Sequence, residues 1–258
     1  MEGFNLIFWT AATGLVSALA TGLGAIPAHF LNNNSTVIRS FSTAIAAGMM
    51  TSASVFSLAQ EGISLKEKLP YAPYVVILGL LLGAMFLRYT EKKFSGKKIH
   101  KQFLEKGFSK RSFLIFFVMF IHSIPEGIAI GVSFATGNFQ FGLIMAIAIA
   151  VHNIPEGTAV SLPLKAEGVS TKNCALVSIL TSIPQPIMAV PSALLVHLFE
   201  PFLPIGLGFA GGAMIYLVVA EMIPESLELG GKSLTAWGFM VGLTGMLFIT
   251  TLLNLISH

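Results

Sequence analysis

The chain has 258 residues, 54% of them hydrophobic and only 10% charged, with a mean hydropathy of +0.81 and a net charge of +3. A soluble domain carries about 25% charged residues, so the composition excludes one and requires a polytopic membrane protein. The small positive balance gives no footing for nucleic-acid binding, because the basic residues gather in one segment. All twelve acidic residues are Glu, and Cys174 is the single cysteine, which excludes intramolecular disulfides and thiolate metal clusters. Near a helix start, Cys174 is expected as a small core residue.

Eight stretches reach the roughly 20 residues needed to span a bilayer: 5–31, 39–60, 69–90, 112–135, 141–163, 172–199, 203–226 and 233–256. The first follows an acidic residue, Glu2, with no basic segment before it, and reads as a span and not a cleaved signal peptide. The second contains Ala46-Ala-Gly48-Met-Met50, with Glu61 thirteen positions after the glycine. Between the third and fourth lies a basic loop, 91–111, holding Lys92, Lys93, Lys97, Lys98, Lys101, Lys106, Lys110 and Arg111. Arg39, Arg88, Lys165, Lys172 and Lys232 fall on the same side and Lys66 and Lys68 on the other. The positive-inside rule then puts the loop in the cytoplasm and both termini outside. With one histidine, His100, the loop is read as an orientation signal lying on anionic lipid and not as a metal sensor.

The fourth and fifth spans carry the same phrase, His122-Ser-Ile-Pro-Glu126-Gly127 and His152-Asn-Ile-Pro-Glu156-Gly157, and a short polar link, 136–140, forces them antiparallel. A charged side chain at the bilayer centre costs about 2.5–3.5 kcal/mol on insertion scales, so two copies need a reason. Residues four apart share a helix face, which aims His122 with Glu126 and His152 with Glu156. Pro125 and Pro155 each remove a backbone hydrogen bond, leaving carbonyls that protein, water or an ion must satisfy. Gly127 and Gly157 allow close approach of a backbone or of an ion. One such pair would suit a hydrogen bond between helices. Two in register point to a divalent metal in a two-helix cradle, with imidazole and carboxylate suiting zinc and other first-row ions.

The sixth span contains Ile183-Pro184-Gln185-Pro186, and the seventh Gly211-Gly212-Ala-Met214 with Glu225 thirteen positions after Gly212. This echoes the second span, running the other way through the membrane. The expected fold is therefore an all-α membrane protein of eight helices in a 3+2+3 arrangement. Spans 1–3 and 6–8 are inverted repeats around the central pair 4–5, although the small-residue clusters could equally be independent packing surfaces. Glu221, near the cytoplasmic end of the seventh span, is a candidate exit group or a solvated interface residue, and His29 shares that reading. Trp9 and Trp237 fit an aromatic belt.

These residues resemble the Zrt/Irt-like (ZIP) metal transporters, and the likeness covers most of the chain. It rests on the paired motifs, on Ala46-Ala-Gly-Met-Met50, and on Gly212-Ala-Met-Ile-Tyr216 with Glu221, Pro224 and Glu225. It implies a homodimer in the plasma (inner) membrane that moves zinc, or iron, manganese or cadmium, toward the cytoplasm. Helices 1, 4, 5 and 6 would slide against 2, 3, 7 and 8. It implies no prosthetic group, only the transported ion and the lipid bilayer as partners. Carried onto this chain, the metal ligands are His122, Glu126, His152 and Glu156, with Met50 as a thioether and Ser57 lining the path. The second metal position of binuclear members is altered: Ser123 stands where asparagine is expected and Gln185 where glutamate is expected, while Asn153 is kept. Two dications with only Glu126 and Glu156 between them would repel strongly in a low-dielectric site. One metal is therefore expected, with Ser123, Asn153 and Gln185 around it or along its path. Rival readings are an intramembrane zinc hydrolase, which lacks a His-Glu-x-x-His arrangement, and a proton-coupled carrier of an organic solute, which leaves the paired histidines unused.

Overall fold

The structure is a computed structural model that describes residues 3–30, 36–94, 110–198 and 201–256. Of the expected basic loop 91–111, residues 95–109 lie outside the described residues, while 91–94 and 110–111 belong to the flanking helices. Among them every regular element is helical and none is a strand, as expected where a bilayer leaves backbone groups no water to bond. In order these are α1 (Gly3–Leu23), α2 (Ala25–Phe30), α3 (Thr36–Ser52), a π-helical segment (Ala53–Ala59), α4 (Gln60–Ser64) and a 3₁₀ turn (Leu65–Glu67). Then come α5 (Ala72–Phe94), α6 (Lys110–Ala135), α7 (Phe139–Ala166), α8 (Thr171–Ser182) and α9 (Pro184–Leu198). The last are α10 (Phe202–Leu217), a second π-helical segment (Val218–Met222) and α11 (Ile223–Ile256).

Six helical stretches are long and apolar enough to cross a membrane: Asn5–Pro27, Thr36–Glu67, Ala72–Tyr89, Phe139–Lys165, Thr171–Val196 and Phe202–Leu253. The number differs from the expected eight in two places. In the 26-residue helix α6, the side chains of several residues before Met119 lie outside the described residues, and the described apolar part is Met119–Ala135. The expected seventh and eighth spans run together as one 52-residue stretch. That stretch is broken inside α11 at Gly231, whose φ of 75° and ψ of 176° are non-helical. A left-handed φ of this kind suits glycine alone.

The break is pinned to the start of α3. Arg39, 7% exposed, pairs with Glu225. Ser40 Oγ and Ser226 Oγ each donate to the other residue's backbone carbonyl, at 2.8 and 2.9 Å, and Ser226 Oγ also lies 2.8 Å from Thr235 Oγ1. An arginine near a span end, counted above among the orientation residues, is thus also a buried joint. At the other turns the local chemistry is ordinary. Asn138 Oδ1 accepts from the Phe141 amide to cap α7, and Ser170 Oγ accepts from the Asn173 amide to cap α8. Cys174 is buried near the start of α8, as its position suggested.

Glycine sets how closely the helices pack. A Cβ on Gly48 of α3 would lie 2.0 Å from the Phe239 carbonyl oxygen of α11, and one on Gly242 would lie 2.0 Å from that of Ile45. The same pattern joins α10 to α5: Gly212 would meet the Leu80 oxygen at 2.1 Å, and Gly83 the Phe209 oxygen at 2.0 Å. These are close backbone approaches of the kind small residues permit in membranes. The principal partners are α3 with α11, α5 with α10, α6 with α9, and α1 with α7. One apolar core of Met50, Ile130, Phe134, Met145, Leu207 and their neighbours lies between them.

Gly48→Leu is expected to cost at least the roughly 1–3 kcal/mol of an overpacked core, because its first side-chain carbon collides with backbone. Gly245, with nothing within 4 Å of a Cβ, should tolerate alanine. Thermal unfolding of the two variants in detergent, followed by size-exclusion, checks the contrast.

Candidate metal centre

The site is built where α6 and α7 cross. Pro125 and Pro155 lie inside these helices. The glycines that follow them face other helices' backbones. A Cβ on Gly127 would be 2.5 Å from the Gln185 carbonyl oxygen, and one on Gly157 would be 1.9 Å from that of Thr21. Of the two uses open to these glycines, backbone approach and ion approach, the structure shows the first. Each motif therefore presses its helix against a neighbour on one side and presents its acidic residue on another.

Glu126, His152 and Glu156 come together there, fully buried, with one ligating atom from each lying within 4.8 Å of the others. His152 Nε2 is 3.0 Å from Glu126 Oε1, a contact between helices. On the other oxygen, Gln185 Nε2 donates to Glu126 Oε2 at 2.6 Å. Gln185 stands in the first turn of α9, just after the interruption between α8 and α9 at Ile183. Its own oxygen accepts from Asn153 Nδ2 at 3.2 Å. That same Asn153 nitrogen donates to the Ser17 carbonyl at 2.8 Å and to Ser17 Oγ at 3.1 Å.

This chain has a direction. A backbone carbonyl only accepts, so the Ser17 oxygen turns the Asn153 nitrogen toward α1. That nitrogen turns the Gln185 oxygen toward itself, and the Gln185 amide N–H is left to face Glu126. His152 Nδ1 and Asn153 Oδ1 are buried without a hydrogen-bond partner among the described residues. Buried polar atoms normally have one. With carboxylate oxygens beside them, they form a donor set of nitrogen and oxygen that fits a divalent transition ion.

Other expected residues are placed differently. The backbone of His122 is in α6, one turn before Glu126, but its side chain is outside the described residues. Ser123 Oγ donates to the Met119 carbonyl of its own helix at 3.1 Å. Met50 is fully buried in the apolar core with Met145 and Ile149. Ser57 is half-buried in the first π-helical segment, and Glu221 is exposed in the second. His29 Nδ1 lies 3.0 Å from Thr171 Oγ1, which also accepts from Lys165 Nζ at 3.1 Å, so it caps a helix contact away from the centre. Ser17 is the residue that motif reasoning missed. It shares a buried hydroxyl stripe of the first span with Thr10 and Thr21, a pattern that marks a polar face without singling out Ser17.

Together the fold and this cluster define a membrane-embedded helical bundle with a buried cluster of donor atoms that could hold a metal ion. A family model described as ZIP Zinc transporter matches residues 88–250. The chain is 37% identical over 245 residues to zinc transporter GufA of Myxococcus xanthus, covering 89% of this chain and 96% of that one. It is 35% identical over 251 residues to zinc transporter ZIPB of Bordetella bronchiseptica, covering 93% and 80%. A longer protein of Arabidopsis thaliana is 38% identical over 252 residues, covering 95% of this chain, which spans 39% of that relative's length. The chain belongs to the ZIP zinc transporter family.

Gln185→Leu is expected to destabilise the metal-free protein, because it strips a hydrogen bond from the buried carboxylate of Glu126 and an acceptor from Asn153. Each unsatisfied buried group costs about 1–3 kcal/mol. Thermal unfolding in chelator, compared with Thr244→Ala on an exposed helix face, checks this.

Proposed function

We propose that the protein carries divalent transition metal ions, zinc first, across the membrane toward the cytoplasm by alternating access. The observation that carries this reading is the buried trio of Glu126, His152 and Glu156 on two proline-bearing helices that cross inside a membrane bundle. His122, one turn from Glu126, is the fourth ligand in the proposal, and Met50 a fifth from α3. Iron, manganese and cadmium would use the same donors, since selectivity follows geometry and availability more than raw affinity. The relatives GufA and ZIPB, both named zinc transporters, support the choice of zinc. The family is one of transporters, which removes the hydrolase reading and makes this chain no enzyme.

The proposed architecture is eight spans as 3+2+3 in a single membrane domain, with the 52-residue stretch divided at Gly231. Several paired features support inverted repeats. The glycine contacts of α3 on α11 and of α10 on α5 use the same register: Gly48 and Gly212 meet carbonyls one residue after Gly238 and Gly79, respectively. A π-helical segment follows both Gly48 and Gly212. The principal packing partners fall within the two sets that would slide, spans 1, 4, 5 and 6 and spans 2, 3, 7 and 8. Both termini would be extracytoplasmic, loop 91–111 cytoplasmic, and the unit a homodimer in the plasma (inner) membrane. Ser57 and Glu221 would lie on the entry and exit paths.

A single ion per chain is part of the proposal. The Gln185 amide occupies Glu126 Oε2 at 2.6 Å, the oxygen a second cation would need. Ser123 is engaged with its own helix, so its role narrows to the path of the ion. In sealed vesicles, Glu126→Ala and Glu156→Ala should each abolish zinc uptake while the protein still elutes as a folded species. Uptake that survives both changes overturns the assignment. Metal counting at saturating zinc should return one tightly held ion per chain. Because bound imidazole and carboxylate must be deprotonated, affinity should fall as pH is lowered. Zinc titrations at two pH values check that sign.

A further inference from the structure

A serine or threonine in a helix has a ready acceptor in the carbonyl four residues back. Thr10 and Thr250, both buried, use it, at 2.6 Å to Leu6 and 3.0 Å to Met246. Three other buried hydroxyls, those of Thr43, Ser54 and Ser133, have no hydrogen-bond partner among the described residues. A buried polar group in this condition costs stability and calls for a reason. Thr43 stands one turn from the Arg39–Glu225 joint, on a stripe that a guanidinium closes to a dication. Ser54 and Ser133 have no exposed surface and no charged residue beside them in sequence.

Their placement follows from the helices that carry them. One face of α3 is taken by α11, since Gly238 lies against Ala44, Gly242 against Ile45 and Gly48 against Phe239. At about 3.6 residues per turn, Met50 is on the opposite face, and Ser54, four residues on, keeps to it. Ser57 would share that face in an unbroken α-helix, but the wider turns of Ala53–Ala59 carry it aside. It is half-buried, whereas Ser54 and Leu58 are fully buried. On α6, Glu126, Ile130 and Ser133 form one stripe at i, i+4 and i+7.

The two stripes meet along α10. Its Gly206 packs on Val132, next to Ser133, and its Gly211 on the Ser54 carbonyl, where Cβ atoms would sit 3.0 and 3.2 Å away. The surroundings are otherwise apolar: Leu58, Ile130, Phe134, Met145 and Leu207 belong to one buried core. Two unpartnered hydroxyls therefore lie in an apolar plug between the acidic centre and the end of the bundle that carries the 136–140 link.

We propose that Ser54 and Ser133 are transit ligands, each offering an oxygen to the metal ion as it passes from that end of the bundle to Glu126. The inference rests on the transport reading and extends it to two residues outside the paired motifs. A neutral hydroxyl is a weak ligand beside carboxylate or imidazole, which suits a step that must hold an ion and then let it go. A permanent partner would compete with the ion, which accounts for two hydroxyls kept off the carbonyls of their own helices.

The test measures zinc uptake into sealed vesicles, and thermal unfolding in chelator, for Ser54→Ala, Ser133→Ala and Thr250→Val. Because the deleted serine hydroxyls bond to nothing in the protein, both alanine variants should unfold at or above the wild-type temperature. Their uptake at low zinc should each fall about tenfold, the scale of one contact to a charged group. Thr250→Val, which deletes a buried but partnered hydroxyl, should take up zinc at the wild-type rate. Ser54→Cys and Ser133→Cys repeat the test at nearly unchanged volume should an alanine variant fail to fold. A thiolate is a softer ligand, so uptake of cadmium relative to zinc should rise severalfold in both. Wild-type uptake by either alanine variant overturns the proposal, as does a loss of uptake matched by a lower unfolding temperature. So does a cadmium-to-zinc ratio that the cysteines leave unchanged. Failure of the transport reading looks different, because the unsubstituted chain then takes up no zinc.

Discussion

Burial of the Glu126 carboxylate is the constraint around which this bundle is arranged. The side chain has no exposed surface, and an ionised carboxylate in a low-dielectric interior is tolerable only with partners on its oxygens. Both oxygens have them, from different helices: His152 of α7 on one and Gln185 of α9 on the other. The α9 partner exists because α8 and α9 are interrupted just before Pro184, which brings Gln185 to the depth of the carboxylate. The α7 partner exists because the 136–140 link folds the two motif helices back on each other. Through Asn153 and Ser17 the same carboxylate is tied to α1. Four of the long membrane helices therefore meet at one acidic group.

The remaining helices solve a different problem. Between lipid-exposed helices there is no water to expel, so association must come from close packing and from buried hydrogen bonds. Here α3 with α11 and α5 with α10 use glycine to bring carbonyl oxygens against the facing helix. The joint of Arg39 with Glu225 and Ser40 with Ser226 adds polar contacts at one end only. Rigidity is thus concentrated within helix pairs, and α5/α10 meets α6/α9 through larger apolar side chains. A crevice bounded by Val132 and Phe209 is a consequence of that distribution. Contacts of this kind can slide in a way that interlocked backbones cannot.

Much of this is legible in the sequence, for identifiable reasons. The doubled motif stands out because carboxylates and imidazoles are costly in an apolar run, and i, i+4 spacing alone predicts that His152 and Glu156 share a face. The antiparallel pairing of the motif helices follows from a link too short for anything else. Helix ends were harder to read. The polar segment holding Glu225, Glu228, Gly230, Gly231 and Lys232 divides the seventh span from the eighth in the sequence, but it does not show that the helix runs on through it with a break only at Gly231. Ser17 was out of reach for a different reason. Its contribution to the centre includes a backbone carbonyl, which any residue carries, so side-chain chemistry could not single it out. Arg39 shows the same limit. An arginine near a span end signals orientation by the statistics of membrane proteins, and only tertiary packing reveals that it is buried against Glu225.

The direction of the hydrogen-bond chain bears on charge balance at the proposed metal site. Glu126 and Glu156 together neutralise one dication, leaving nothing for a second. A glutamate at position 185 would place a third carboxylate within about 2.6 Å of Glu126, an arrangement tolerable only with a shared proton or another cation between them. Gln185 keeps the volume of that side chain but presents an N–H to the carboxylate, so it stabilises the negative charge with no ion. The orientation could not simply reverse, because the other end of the amide is held by Asn153, whose nitrogen is held in turn by the Ser17 carbonyl. The amide is therefore more than a neutral replacement. It supplies, from within the chain, the positive electrostatic contact that a second metal would otherwise have to provide.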